Sequence, residues 1–225
     1  MDKEESTHKE EGTKRLERLV AEKLLKVKAV KLQPENPFTW ASGWKSPIYC
    51  DNRKTLSYPE IRTFIKLELA RVICEKYAEA DAIAGVATGA IAQGALVADI
   101  LGLPFVYIRS TPKDHGLENL IEGELKAGSK VVVLEDLVST GLSCLKAVEA
   151  VRNFGCEVIG MVAIFTHGFP VAAEKFKVAK VPLTTLSNYD AVIEEALRTD
   201  YINDSDIATL QQWRKDPAKW NPTGA

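Results

Sequence analysis

From about residue 80 onward, short apolar runs alternate with stretches of helical period, and that alternation restricts the chain to a parallel sheet built from strand–helix–strand units. Five runs read as strands, at 82–86, 105–108, 130–135, 157–165 and 182–186. Helical patterns occupy 91–101, 142–154 and 171–176, with Gly102 and Gly155 placed as helix stops. Each crossover is expected to be right-handed. With 225 residues the chain is long enough for one large α/β domain with a substantial core.

The flanking segments read differently. Residues 1–14 are charged throughout and are expected to form a disordered polar tail. Leu16, Leu19, Val20, Leu24 and Val27 then mark one face of a helix. Between 31 and 58, three prolines and two tryptophans break short alternating runs, which predicts a small hairpin-like hood or flap formed mainly by 15–58. Pro59 opens a second amphipathic helix carrying Ile61, Phe64, Ile65, Leu69, Val72 and Ile73. Two helices near 190–198 and 206–215 close a single domain spanning 15–215, and 216–225 form a polar tail.

The balance of 29 Lys+Arg against 31 Asp+Glu gives a formal net charge of -2, which supplies no broad attraction for nucleic acid or an anionic membrane. The start of the chain lacks the apolar centre of a secretory signal, and the most apolar region, 82–108, is interrupted by Thr88, Gln93, Asp99 and Pro104. A cytoplasmic protein is the expectation. Cys50, Cys74, Cys144 and Cys156 show neither CxxC nor Cys/His ligand spacing, so they read as buried reduced thiols.

The segment 130–144, KVVVLEDLVSTGLSC, carries the chemistry. Four apolar residues from Val131 to Leu134 are typical of a strand covered on both faces, and Glu135 and Asp136 then fall at its carboxyl end, where open α/β sheets place ligands. Ser139, Thr140, Gly141, Leu142 and Ser143 lead into a helix, so amides, hydroxyls and the positive helix end converge on a phosphate-sized point. Gly141 is expected to let the backbone approach that ligand closely. Two carboxylates beside a phosphate nest repel a bare anion. A ribose 5-phosphate resolves the conflict, with its phosphate in the nest and its vicinal hydroxyls donating to the acids.

An apolar run, two acids and a Thr/Ser-Gly turn resemble the binding motif of the type I phosphoribosyltransferases, and positions 135–143 match it one by one. Two further segments, Phe38-Thr39-Trp40-Ala41-Ser42-Gly43-Trp44-Lys45-Ser46-Pro47-Ile48-Tyr49 and Arg109-Ser110-Thr111-Pro112-Lys113-Asp114-His115-Gly116, are similar to the orotate-specific members. The resemblance implies a Rossmann-like fold with a central, mostly parallel five-stranded sheet flanked by helices and an N-terminal hood. It implies transfer of the phosphoribosyl group from 5-phosphoribosyl 1-pyrophosphate to orotate, yielding orotidine 5′-phosphate and pyrophosphate. Magnesium is implied as a cofactor bound chiefly through substrate, with no protein metal ligand.

In the terms of that resemblance, Arg109, Lys113, His115, Glu135, Asp136, Leu137, Val138 and Ser139 to Ser143 bind the phosphoribosyl donor, and Lys113, His115 and Asp136 are catalytic. The stretch 109–120 contains Pro112 and Gly116 and lacks apolar periodicity, which reads as a mobile lid at a strand's carboxyl end. The family shares this lid across a homodimer, so Lys113 and His115 are expected to act in the neighbouring subunit. Some members carry a lysine where Gly89 stands here, in the turn from Ala84 to Ala90. Others carry an orotate-contacting lysine at Ala41 and an arginine near His167. Ser139, Tyr49 and His167 are the candidate orotate contacts in their place, whereas Trp40 reads as a packing residue. The alternatives are a purine-type phosphoribosyltransferase and a non-catalytic regulator that keeps the fold to sense nucleotides.

Overall fold

The computed structural model describes residues 3–40, 42–111 and 120–221. In chain order the elements are α1 (Lys3–Lys26), β1 (Val30–Leu32), β2 (Phe38–Thr39), β3 (Lys45–Ser46), β4 (Ile48–Cys50), a 3₁₀ turn (Asn52–Ser57), α2 (Pro59–Lys76), β5 (Ala82–Val86), α3 (Ile91–Leu101), β6 (Phe105–Ile108) and β7 (Ile121–Glu122). They continue with β8 (Lys130–Val138), α4 (Leu142–Asn153), β9 (Glu157–Thr166), α5 (Pro170–Val178), β10 (Leu183–Asn188), α6 (Tyr189–Arg198) and α7 (Asp204–Lys215). The backbone divides into two compact units, one spanning Leu56–Tyr189 and the other combining Met1–Thr55 with Asp190–Ala225.

The larger unit is a sheet in the order β10-β9-β8-β5-β6-β7. All pairings are parallel except β6 with β7, where Tyr107 opposes Glu122 and Ile108 opposes Ile121. The sheet therefore has six strands among the described residues, not five. β7 escapes sequence reading because two residues show no period. Every residue of β5 is buried, as are Val131 to Glu135 of β8, which explains their unbroken apolar runs. α2 begins with Pro59 in its first turn, and α3 ends at Gly102, which adopts φ 65° and turns the chain toward β6.

From β5 the chain winds outward to β6, whereas from β8 it winds the other way to β9 and β10. The reversal puts the topological switch point between β5 and β8, the crevice in which doubly wound sheets hold ligands. β8 also runs three residues past Glu135. Its ladder with β5 stops at Gly85 opposite Leu134, but its ladder with β9 continues to Val138 opposite Thr166. The two acids thus lie within β8, on the part of that strand left without β5 as a neighbour.

In the other unit, β1 pairs with β4 and β2 with β3, both antiparallel. This is the hairpin character expected of the hood. α7 and all of α6 after Tyr189 belong to the same unit. Trp213 of α7 is fully buried and meets Trp40 edge-on at 5.7 Å, and Arg214 pairs with Asp190 of α6. Trp40 is accordingly a packing residue, its Nε1–H donating to the Ile48 carbonyl at 3.0 Å. α1 begins at Lys3, inside the stretch expected to be a disordered tail. Lys and Glu are strong helix formers, the stretch has no proline, and Gly12 is its weakest helix former. None of the four cysteines is in a disulfide, but Cys74 is exposed and Cys50 half-buried, so only Cys144 and Cys156 are the buried thiols expected of all four. No helix among the described residues is long and apolar enough to cross a membrane.

Candidate active site

Successive residues of a strand face opposite sides, so Glu135 and Asp136 cannot point the same way. The structure separates the two acids, which the sequence treats alike. Asp136, half-buried, lies against the β5–α3 turn: a methyl group placed on Gly89 would stand 2.5 Å from its Oδ2 and closer still to Oδ1 and Cγ. Gly89 is thus the space that the Asp136 carboxylate occupies, and a lysine there would displace the acid. The carboxylate sits at the switch point, between the turn after β5 and the bend after β8.

Glu135 is only 5% exposed, and both oxygens are engaged. Oε1 accepts the Asp136 backbone N–H at 3.0 Å, and Oε2 accepts the Cys144 thiol at 3.5 Å. The expectation that both acids face a cleft is therefore corrected for Glu135, which is turned toward the first turn of α4. Burial and the charge of Asp136 hold its carboxyl well above the usual carboxylate range. Burial, with Glu135 beside it, also pushes the Cys144 thiol upward, so this sulfur remains a protonated donor.

The bend after β8 is open to solvent. Ser139 and Thr140 are half-buried, Leu142 and Ser143 exposed, and α4 begins with no side-chain cap on its first-turn amides. Those amides lack intrahelical partners by construction, so the bend offers donors at the positive end of a twelve-residue helix. Gly141 serves the bend differently from the expectation. It adopts φ 79°, and a Cβ there would meet the Phe176 ring of α5 at 3.2 Å. Its missing side chain faces α5, not a ligand. Val138, expected among the donor-binding residues, is fully buried, and its carbonyl accepts the His167 N–H and the Thr166 hydroxyl, both at 3.1 Å. Leu137 is half-buried.

His167 is 1% exposed and enclosed by aromatic rings, edge-on to Phe165 at 5.3 Å and stacked on Phe169 at 5.4 Å. A ring sealed in this way does not reach a carboxylate ligand, which corrects its candidacy as an orotate contact. Tyr49 is 37% exposed and leans on Phe38 at 5.5 Å. Arg109 follows β6, and its N–H donates to the Leu120 carbonyl at 2.8 Å, so the span between them is the connection of the β6–β7 hairpin. Its guanidinium lies 3.3 Å from Glu122. Lys113 and His115 lie outside the described residues, as does Ala41.

A cleft of about 700 Å³, lined by Asp81, Pro104, Glu124, Lys126 and Ser129 among others, opens at the amino-terminal ends of β5, β6 and β8. It lies at the opposite end of the strands from the acids. Ligand sites in such sheets form at the carboxyl ends, where here a carboxylate, a turn and a helix terminus meet.

Comparison with known proteins agrees with that geometry. A family model described as a phosphoribosyl transferase domain matches residues 63–198. The orotate phosphoribosyltransferase of Bacteroides thetaiotaomicron is 74% identical over 208 residues, 92% of this chain and 98% of that protein. The crystal structure of orotate phosphoribosyltransferase from Aeropyrum pernix superposes with a TM-score of 0.72 at 28% identity, over 82% of this chain and 99% of that one. UMP synthase from Leishmania donovani superposes with a TM-score of 0.74 at 26% identity; 88% of this chain is covered, and it spans 42% of that longer one. The acids at the switch point, the bend that follows them and these relatives lead to one conclusion: the chain belongs to the orotate phosphoribosyltransferases, within the phosphoribosyl transferase domain family.

Proposed function

We propose that the protein transfers the 5-phosphoribosyl group from 5-phosphoribosyl 1-pyrophosphate to N1 of orotate, releasing pyrophosphate and forming orotidine 5′-phosphate for pyrimidine nucleotide synthesis. The observation that carries this reading is the Asp136 carboxylate held against Gly89, on the strand that leads directly into the phosphate-accepting bend. A ribose 5-phosphate seated there has its phosphate on the amides of Ser139 to Ser143 and its hydroxyls beside Asp136. Glu135, inward in this structure, can reach a hydroxyl by exchanging its contact with Cys144. As the bond from the anomeric carbon to pyrophosphate breaks, its electron pair leaves with pyrophosphate while N1 of orotate bonds to the carbon, the N1 proton passing to the departing pyrophosphate or to water. The carboxylates then stabilise the positive charge developing on the sugar.

Arg109 meets pyrophosphate by leaving Glu122, and Lys113 and His115 close over it from the 109–120 loop, in the neighbouring subunit of a homodimer. Closure excludes the water that would otherwise capture the cationic sugar. Ser139 and Tyr49 remain the candidate orotate contacts. Magnesium fits as an ion carried in chiefly by substrate, because pyrophosphate and ribose hydroxyls supply the hard oxygen ligands it prefers. When bound, it neutralises charge on the leaving pyrophosphate. A cytoplasmic location suits a pathway whose substrates are phosphorylated.

The test is ultraviolet absorbance of orotate with and without 5-phosphoribosyl 1-pyrophosphate and magnesium. Loss of orotate should require both, and Lys113→Ala should lower turnover by about a hundredfold or more with a smaller effect on donor affinity. Consumption of a purine base with orotate untouched would overturn the reading.

A further inference from the structure

Behind the bend after β8, α5 presents an ammonium group with an unusual partner. Lys175 Nζ donates to the carbonyl oxygen of Thr140 at 3.3 Å. Among the described residues no carboxylate is paired with Lys175, so this half-buried charge is matched only by a neutral carbonyl. In a trans peptide the carbonyl of one residue and the N–H of the next point in opposite directions. Drawing the Thr140 carbonyl toward α5 therefore turns the Gly141 N–H away from α5, to the open side of the bend. Phe176 and Ala172 brace the same peptide, lying 3.2 Å and 3.8 Å from where a Gly141 Cβ would stand.

We infer that Lys175 is a positioning residue for the 5′-phosphate of the phosphoribosyl ligand. It fixes the peptide that presents the Gly141 amide, and it places an uncompensated positive charge behind the anion without touching it. This rests on the reading of the bend as the phosphate seat given above. A lysine kept only to anchor α5 would be interchangeable with Arg152, which ties α4 to the same helix end by donating to the carbonyls of Ala179 at 2.9 Å and Lys180 at 3.5 Å.

The experiment is calorimetric titration of the wild type, Lys175→Met, Lys175→Arg and Arg152→Met with ribose 5-phosphate and, separately, with inorganic pyrophosphate. Lys175→Met should weaken ribose 5-phosphate about tenfold, the scale of one charge-assisted interaction, and leave pyrophosphate binding within twofold. Lys175→Arg should recover most of the loss, and Arg152→Met should bind ribose 5-phosphate as the wild type does. The wild-type affinity for ribose 5-phosphate should fall with added salt more steeply than that of Lys175→Met. Equal weakening by Lys175→Met and Arg152→Met, or equal weakening of both ligands, would reduce Lys175 to an anchor of α5 and overturn the inference. A wild type that binds pyrophosphate but not ribose 5-phosphate would instead overturn the phosphate seat itself, and the role of Lys175 with it.

Discussion

Gly89→Ala is the sharpest probe of the arrangement at the switch point. The added methyl would stand 2.5 Å from Asp136 Oδ2, with the other carboxylate atoms nearer, whereas ordinary contact requires about 3.5 Å. The carboxylate must therefore retreat by about 1 Å. Asp136 is only half-buried and so is not locked in the core, and the fold should lose about 1 kcal/mol or less. Catalysis is less tolerant, because a displacement of about 1 Å at a reacting centre can cost about a hundredfold. Steady-state kinetics should thus show kcat/KM for 5-phosphoribosyl 1-pyrophosphate falling by about a hundredfold while the thermal midpoint stays within a few degrees. A Gly89→Ala enzyme with wild-type kcat/KM would show that Asp136 need not lie where the structure puts it, and would remove it from the sugar site.

Glu135→Gln tests the inward acid. Its folded protein keeps the proton to higher pH than the unfolded chain does, so its contribution to stability is complete below the ordinary carboxylate range and is lost as pH rises through the raised value. The glutamine variant should melt higher than wild type near neutral pH and converge with it near about pH 3 to 4, as followed by calorimetry; parallel pH profiles would refute the buried carboxyl. Trp213→Ala, which empties a fully buried site packed on Trp40, should cost about 3–5 kcal/mol in denaturant unfolding; a loss below about 1 kcal/mol would contradict that packing.

Much of this protein is written in local pattern. The bounds of α3, the stop at Gly102, the first-turn position of Pro59 and the strand β5 follow from period, proline and glycine, which act within a few residues of chain. The acids and the bend after them are equally legible, because a strand, two carboxylates and a Ser-Thr-Gly turn are contiguous. What the pattern could not show is which way each group faces and what stands beside it. β7 exists only as a partner of β6, and β8 extends past Glu135 only because β9 continues alongside it. Glu135 turns inward and Asp136 toward Gly89 because neighbouring strand residues face opposite sides and residues some fifty positions apart meet there. His167 is enclosed by Phe165 and Phe169, and Gly141 is glycine for the sake of Phe176. Local chain preference determined the elements and the motif. Pairing and burial, which depend on residues distant in sequence, decided which acid turns inward, which lies against Gly89 and what packs behind the bend after β8.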